Sequence, residues 1–165
     1  MAAGATYTPI ATTTLSSTNT SVTFSSFSGY TDLVLVFSVK AATATLNSAV
    51  RFNSDSGANY GAISLEGDGS TNRSQTFTNA TFIRTDSYGY VTTTNFSVKL
   101  VNIMNYANST TYKPVLTRAS TGSVGLDAFV GLWRNTAAIT NIEVFARNDT
   151  FAVGSTFTLY GILAA

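Results

Sequence analysis

Apolar side chains recur at every second position along much of this chain. In Ser21-Val22-Thr23-Phe24-Ser25 the valine and phenylalanine fall on one side and the hydroxyls on the other. Ala49 to Asn53 repeats the pattern with Val50 and Phe52, and Asn95 to Leu100 places Phe96, Val98 and Leu100 on one side with Lys99 opposite. Ile142, Val144 and Ala146 alternate with Glu143, Phe145 and Arg147, and Phe157 and Leu159 close the chain in the same way. A period of two is the signature of half-buried strands, and no dozen-residue window shows the 3.6 spacing of an amphipathic helix. Leu33 to Val39 is apolar on both faces and reads as a central strand covered on both sides.

Turn-forming residues separate these runs: Ser28-Gly29, Asn53 to Gly57, Gly67 to Ser70, Tyr88-Gly89, Asn105 to Ser109, Ser120 to Gly122 and Asn148-Asp149. The spacing predicts about nine to eleven strands and no helix longer than two turns. The expected fold is all-β, an antiparallel two-sheet sandwich of jelly-roll type. Residues 1–18 read as an N-terminal arm or edge strand and residues 19–165 as a single β-sandwich domain. The expected core is Val22, Phe24, Leu33, Leu35, Phe37, Val50, Phe52, Ile63, Phe96, Val98, Leu100, Leu132, Ile142, Val144, Phe157 and Leu159. Pro9 and Pro114 are expected on edge strands, because proline donates no ladder hydrogen bond.

Composition narrows the functions available. The 165 residues hold neither cysteine nor histidine, so thiolate and imidazole chemistry are both missing. The net charge is +1 and only 10 % of residues are charged, so no charge excess draws the chain to nucleic acid or to an anionic membrane. Serine and threonine fill the gap, at 19 and 28 residues. A surface so short of charge has few means of staying monomeric, and a homo-oligomer is expected. Residues 1–11 lack the basic and apolar regions of a signal peptide.

The polar residues offer little catalytic patterning, and no catalytic residue, cofactor or metal is assigned. Glu66 and Asp68 flank Gly67 and read as a solvated hairpin tip rather than an acid–base pair. A serine–lysine dyad would rest on Lys40, Lys99 or Lys113, of which Lys99 is expected to point outward. Asp55 with Asn53 and Asn59 carries oxygens for Ca²⁺ but lacks calcium-loop spacing and reads as turn chemistry. Tyr60, Tyr88, Tyr90 and Tyr112 are candidate exposed aromatics that could stack on sugar rings, which keeps a carbohydrate-binding module open. Trp133 is expected in the core or between subunits. Tyr7, Thr8, Pro9, Ile10 and Leu15 form a candidate partner-binding arm, uncharged and suited to adding a strand to a neighbour's edge.

Four segments carry a resemblance. Phe27-Ser28-Gly29-Tyr30-Thr31-Asp32-Leu33-Val34-Leu35-Val36, Arg51-Phe52-Asn53-Ser54-Asp55-Ser56-Gly57-Ala58-Asn59-Tyr60, Gly131 to Ile142, and Thr158-Leu159-Tyr160-Gly161-Ile162 resemble, in order, segments of small β-sandwich structural proteins of tailed bacteriophage virions. The resemblance implies a virion structural protein, assembled in the host cytoplasm. Its length suits a capsid decoration (cement) protein that binds across subunits of the major capsid protein. A tail-fibre or tail-tip subunit is the alternative, and host glycan is a partner only for the carbohydrate-binding reading. The resemblance also suggests the number three for the homo-oligomer. It transfers no catalytic or receptor-binding residue.

Overall fold

The computed structural model describes residues 6–163 and is all-β. It has twelve strands: β1 (Tyr7–Thr14), β2 (Ser21–Ser25), β3 (Asp32–Val39), β4 (Ser48–Phe52), β5 (Tyr60–Gly67), β6 (Asn72–Ala80), β7 (Ile83–Arg84), β8 (Ser97–Ile103), β9 (Lys113–Thr121), β10 (Gly125–Trp133), β11 (Asn141–Ala146) and β12 (Thr156–Ile162). Eight form one antiparallel sheet in the order β1-β12-β3-β8-β9-β10-β5-β6, and four form a second in the order β2-β11-β4-β7. The chain alternates between the sheets, except that the hairpins β5–β6 and β9–β10 both add to the larger one. Those two hairpins make it twice as wide as the sheet it faces.

The core lies where the sheets overlap. Leu33, Leu35 and Phe37 of β3, Val101 and Ile103 of β8, and Phe157 and Leu159 of β12 meet Val22 and Phe24 of β2, Val50 and Phe52 of β4, and Ile142 and Val144 of β11. Phe37 stacks on Phe157 at 5.7 Å, and Phe151 meets the same ring edge-on at 5.2 Å. Gly131 lets the sheets close at the β7 edge, since a Cβ there would stand 3.0 Å from Ile83.

A corner joins two distant parts of the chain. Asn53 takes a positive φ of 51°, which asparagine tolerates. Its side-chain oxygen accepts the N–H groups of Thr140 (2.8 Å) and Asn141 (3.1 Å), and its amide donates to Ala138 O (2.8 Å). Asp55 accepts from Trp133 Nε1 at 2.7 Å, and Arg134 N donates to Asn59 O at 2.7 Å. Trp133 is fully buried, stacked on Tyr60, whose hydroxyl accepts from Phe52 N at 3.1 Å. Burial pushes the Tyr60 phenol up to about 12. For Asp55, burial alone would raise the carboxyl, but the donors from Trp133, Asn59 and Gly57 hold it below its usual value. Residues 51–60 and 131–142 are thus bonded to each other here.

The sandwich matches expectation, and most of the expected core is buried. Five members are not: Ile63, Phe96 and Val98 are exposed, and Leu100 and Leu132 are only partly covered. Lys99, expected outward, is fully buried. The cause is a larger sheet apolar on both faces. On β8 the inward residues are Ser97, Lys99, Val101 and Ile103, and the apolar Val98 and Leu100 point out, so the more hydrophobic side is the wrong guide. Pro9 lies on edge strand β1 as expected, whereas Pro114 lies on β9, between β8 and β10. It is tolerated because it is the second residue of its strand. Its carbonyl accepts from Met104 N, so its nitrogen points to the same side, where β8 has already ended.

Two outcomes follow. Phe157→Ala should lower the unfolding free energy by ~3–5 kcal/mol, and Phe96→Ala by less than ~1 kcal/mol, in denaturant titrations. Asp149 accepts Thr43 N (2.9 Å), Thr43 Oγ1 (2.8 Å) and Ala44 N (2.8 Å). Burial opposes ionisation, but those donors hold the carboxyl well below its ordinary 3.8. A lowered folded value stabilises above about pH 4 and is lost as pH falls through it. Asp149→Asn should therefore lower the thermal midpoint at pH 7 and make it less sensitive to acidification toward pH 2.

Candidate interaction face

The outer side of the large sheet is built from alternate residues of its strands. On β10 these are Leu126, Ala128, Val130 and Leu132, every one apolar. On β5 they include Ile63 and Leu65, and on β9 Leu116 and Arg118. Cross-strand register lines them into rows: Asn102, Leu116, Val130 and Ile63 in one, and Leu100, Arg118, Ala128 and Leu65 in the next. Leu65 is 66 % exposed, Val130 62 %, Leu126 59 % and Ile63 57 %. Between them runs a groove of about 570 Å³ floored by Ala128 and walled by Ile63, Leu65, Leu116 and Val130. Arg118 is the one charge among the outward positions of β5, β8, β9 and β10, and it makes no ion pair among the described residues. A contiguous, nearly uncharged apolar area on a rigid sheet is the mark of a contact surface.

Beneath this face, a polar cluster interrupts the apolar inner side beyond the small sheet. There the segment 85–91 lies over β8, β9 and β10. Asp127 accepts the N–H groups of Ser87 (2.7 Å), Tyr88 (3.0 Å) and Gly89 (2.7 Å). Lys99 Nζ reaches Asp86 Oδ2 at 3.0 Å and Gly89 O at 2.5 Å, with both side chains of the ion pair fully buried. Asp86 also accepts Ser48 Oγ (2.5 Å) and Asn47 Nδ2 (2.8 Å). Thr121 Oγ1 donates to Tyr90 O at 2.8 Å. Gly89 is required, since a Cβ would stand 2.9 Å from Asp127 Oδ2. Burial pushes the Asp127 carboxyl up, against the pull of its three N–H donors.

The remaining candidates fall as follows. Glu66, read as part of a solvated tip, is buried on the inner side of β5. It accepts Ser64 Oγ (2.6 Å), Arg73 Nε (2.6 Å) and Gln75 Nε2 (3.0 Å). The strand runs one residue further than the glycine suggested, and the turn proper is held by Asp68, which accepts Thr71 N at 2.6 Å. Lys113 is buried and donates to Thr111 O and Thr136 O; burial lowers its ammonium. Ser48, Asp86 and Lys99 form a serine–lysine neighbourhood, yet all three are closed to solvent and spend their donors on one another or on the backbone. Among the described residues no three acidic side chains converge as a metal ion would need.

Tyr60 belongs to the core, which corrects its expected exposure; the hydroxyl found a backbone partner eight residues away. Tyr88 and Tyr90 are half-buried on the clamped segment, and Tyr112 is 50 % exposed. Tyr112 precedes β9 and Tyr90 bonds its last residue, so about 25–30 Å of strand separates them and they share no platform. Tyr7, Thr8, Pro9 and Ile10 lie on β1, paired along one edge with β12, while Leu15 is buried. The other edge of β1 is an edge of the sheet. Of the expected arm, residues 1–5 lie outside the described residues.

The outer face and the buried clamp are what sequence reading missed. Both left a signal in β10, where Leu126, Ala128, Val130 and Leu132 alternate with Asp127, Phe129, Gly131 and Trp133. The chain's class is thus an all-β sandwich with one bare apolar face. No protein-family model, no curated protein and no solved structure matches it.

The clamp gives a direct stability test. Lys99→Met leaves the Asp86 charge buried without its cation, and should cost ~3–5 kcal/mol by chemical denaturation. Adding Asp86→Asn to that variant should recover part of the loss, because the stranded charge is then gone.

Proposed function

We propose that this protein works by contact rather than turnover, as a structural protein of a tailed-phage virion, and that its role there is capsid decoration. Its ground plan is then a jelly roll widened on one side by the hairpins β5–β6 and β9–β10. The observation that carries the contact reading is the exposed apolar outer face of β10 and β5. An exposed Leu65, Leu126, Val130 and Ile63 together are a standing cost to a free monomer, relieved when a surface covers them. The virion part rests on the four ordered segments of phage-like sequence, two of which meet at the Asn53–Trp133 corner.

A decoration protein gains affinity by repeating a modest contact over a lattice, so a folded module with a sticky face suits it. The open edge of β1, with Tyr7, Thr8 and Pro9, is the surface we assign to the major capsid protein, by strand addition. Glycan binding is the weaker reading, because Tyr60 is inside and Tyr90 and Tyr112 stand at opposite ends of β9.

Quantitative mass spectrometry of virions of the phage that encodes the chain tests the role. Hundreds of copies per particle, and heads that rupture at lower temperature when the protein is missing, are expected. A few dozen copies confined to the tail would assign it to an appendage instead, and absence from the particle would refute the virion reading.

A further inference from the structure

We infer that the outer face of the large sheet is covered by a second copy of this chain, packed sheet on sheet with β10 against β10. The inference rests on the contact reading above but not on the virion. Strand β10 is the middle of the five strands β8-β9-β10-β5-β6, and every outward residue on it is apolar. A two-fold axis running along β10 therefore sets β9 of one copy over β5 of the other, and β8 over β6.

That arrangement resolves the single charge. Arg118 lies one strand from the axis, and its image lies on the opposite flank, so the two guanidinium groups do not meet. Each Arg118 stem instead lies over Leu65 of the second copy, with its head toward the outward hydroxyls Ser74 and Thr76 of β6. A net charge of +1 per chain adds little repulsion between copies.

The area is sufficient. Five strands at ~4.8 Å and the ~20 Å from Leu126 to Leu132 of β10 give a face on the order of 500 Å² in projection, hence ~1,000 Å² buried in total, the threshold for a specific interface. The relief also suits interdigitation. Ala128 is a hollow between Leu65, Leu116 and Val130, and Gly61 and Gly67 leave further hollows beside Leu132 and Leu126. Sheets that pack face to face at ~10 Å use such alternation of large and small residues.

Sedimentation equilibrium of the full-length protein, from about 0.1 to 100 μM, tests the inference. The wild type should show a mass above one chain that falls toward 17.4 kDa on dilution. Val130→Asp places two carboxylates near the axis and should weaken association by at least ~100-fold. Leu126→Lys, at the far end of β10, should weaken it as well. Val153→Asp, at a 53 % exposed position outside this face, should leave the mass unchanged. Far-UV spectra and unfolding midpoints confirm that each variant is folded. A monomeric wild type at 100 μM would overturn the inference, and so would an oligomer that folded Val130→Asp and Leu126→Lys both preserve. Neither result would alter the copy count on virions, which tests the other reading alone.

Discussion

Eight strands face four, and most of what distinguishes this molecule follows from that mismatch. The two hairpins β5–β6 and β9–β10 extend one sheet without extending its partner. A strand adds ~4.8 Å of width, so the larger sheet is ~19 Å wider than its partner, and of β10 and β5 only the end around Gly131 meets the smaller sheet, at β7. Its inner side beyond the overlap must be covered by something other than a sheet, and its outer side is covered by nothing among the described residues. Backbone groups buried beneath a covering loop need partners of their own. The overhang therefore requires backbone and side-chain partners for a polar residue such as Asp127 on the inner side of β10 and permits apolar residues on the other.

Segment 85–91 meets that need by lending its N–H groups to Asp127 and a carbonyl to Lys99. The clamp then fixes Ser48 of the small sheet through Asp86, so the overhang and the overlap are tied together. Such a network adds specificity more than stability, because each buried charge is offset only while all its partners are in place. With the inner side settled in this way, the bare outer side is backed by a fixed layer. A rigid apolar face loses little entropy when it is covered, which is what a contact surface requires.

The alternation of Val22 and Phe24, or of Ile142 and Val144, made the sandwich legible, because each of those strands has one wet face and one dry one. Strand β8 defeated the same reading. Its dry face carries Ser97 and Lys99, and its wet face carries Val98 and Leu100, so hydrophobicity points the wrong way where tertiary contacts neutralise the polar side. The clamp itself was hidden because Asp86, Lys99 and Asp127 come from three separate places in the chain, and no local spacing links them. Asn53 and Asp55 looked like turn residues and are that, but their long-range bonds to Asn141 and Trp133 could be seen only once the corner closed. Trp133 was legible as a packing residue because a lone tryptophan between Leu132 and Arg134 at a strand end has few other uses.

Amide hydrogen exchange followed at single-residue resolution probes the overhang and its clamp most directly. If segment 85–91 is a structural cover, Ser87, Tyr88 and Gly89 will exchange as slowly as the amides of β10, despite lying in no strand. In Asp127→Asn their protection will fall while that of β3 and β12 is retained. Fast exchange of these three amides in the wild-type protein, at the rate of the exposed turn at Asp68 to Thr71, would contradict it.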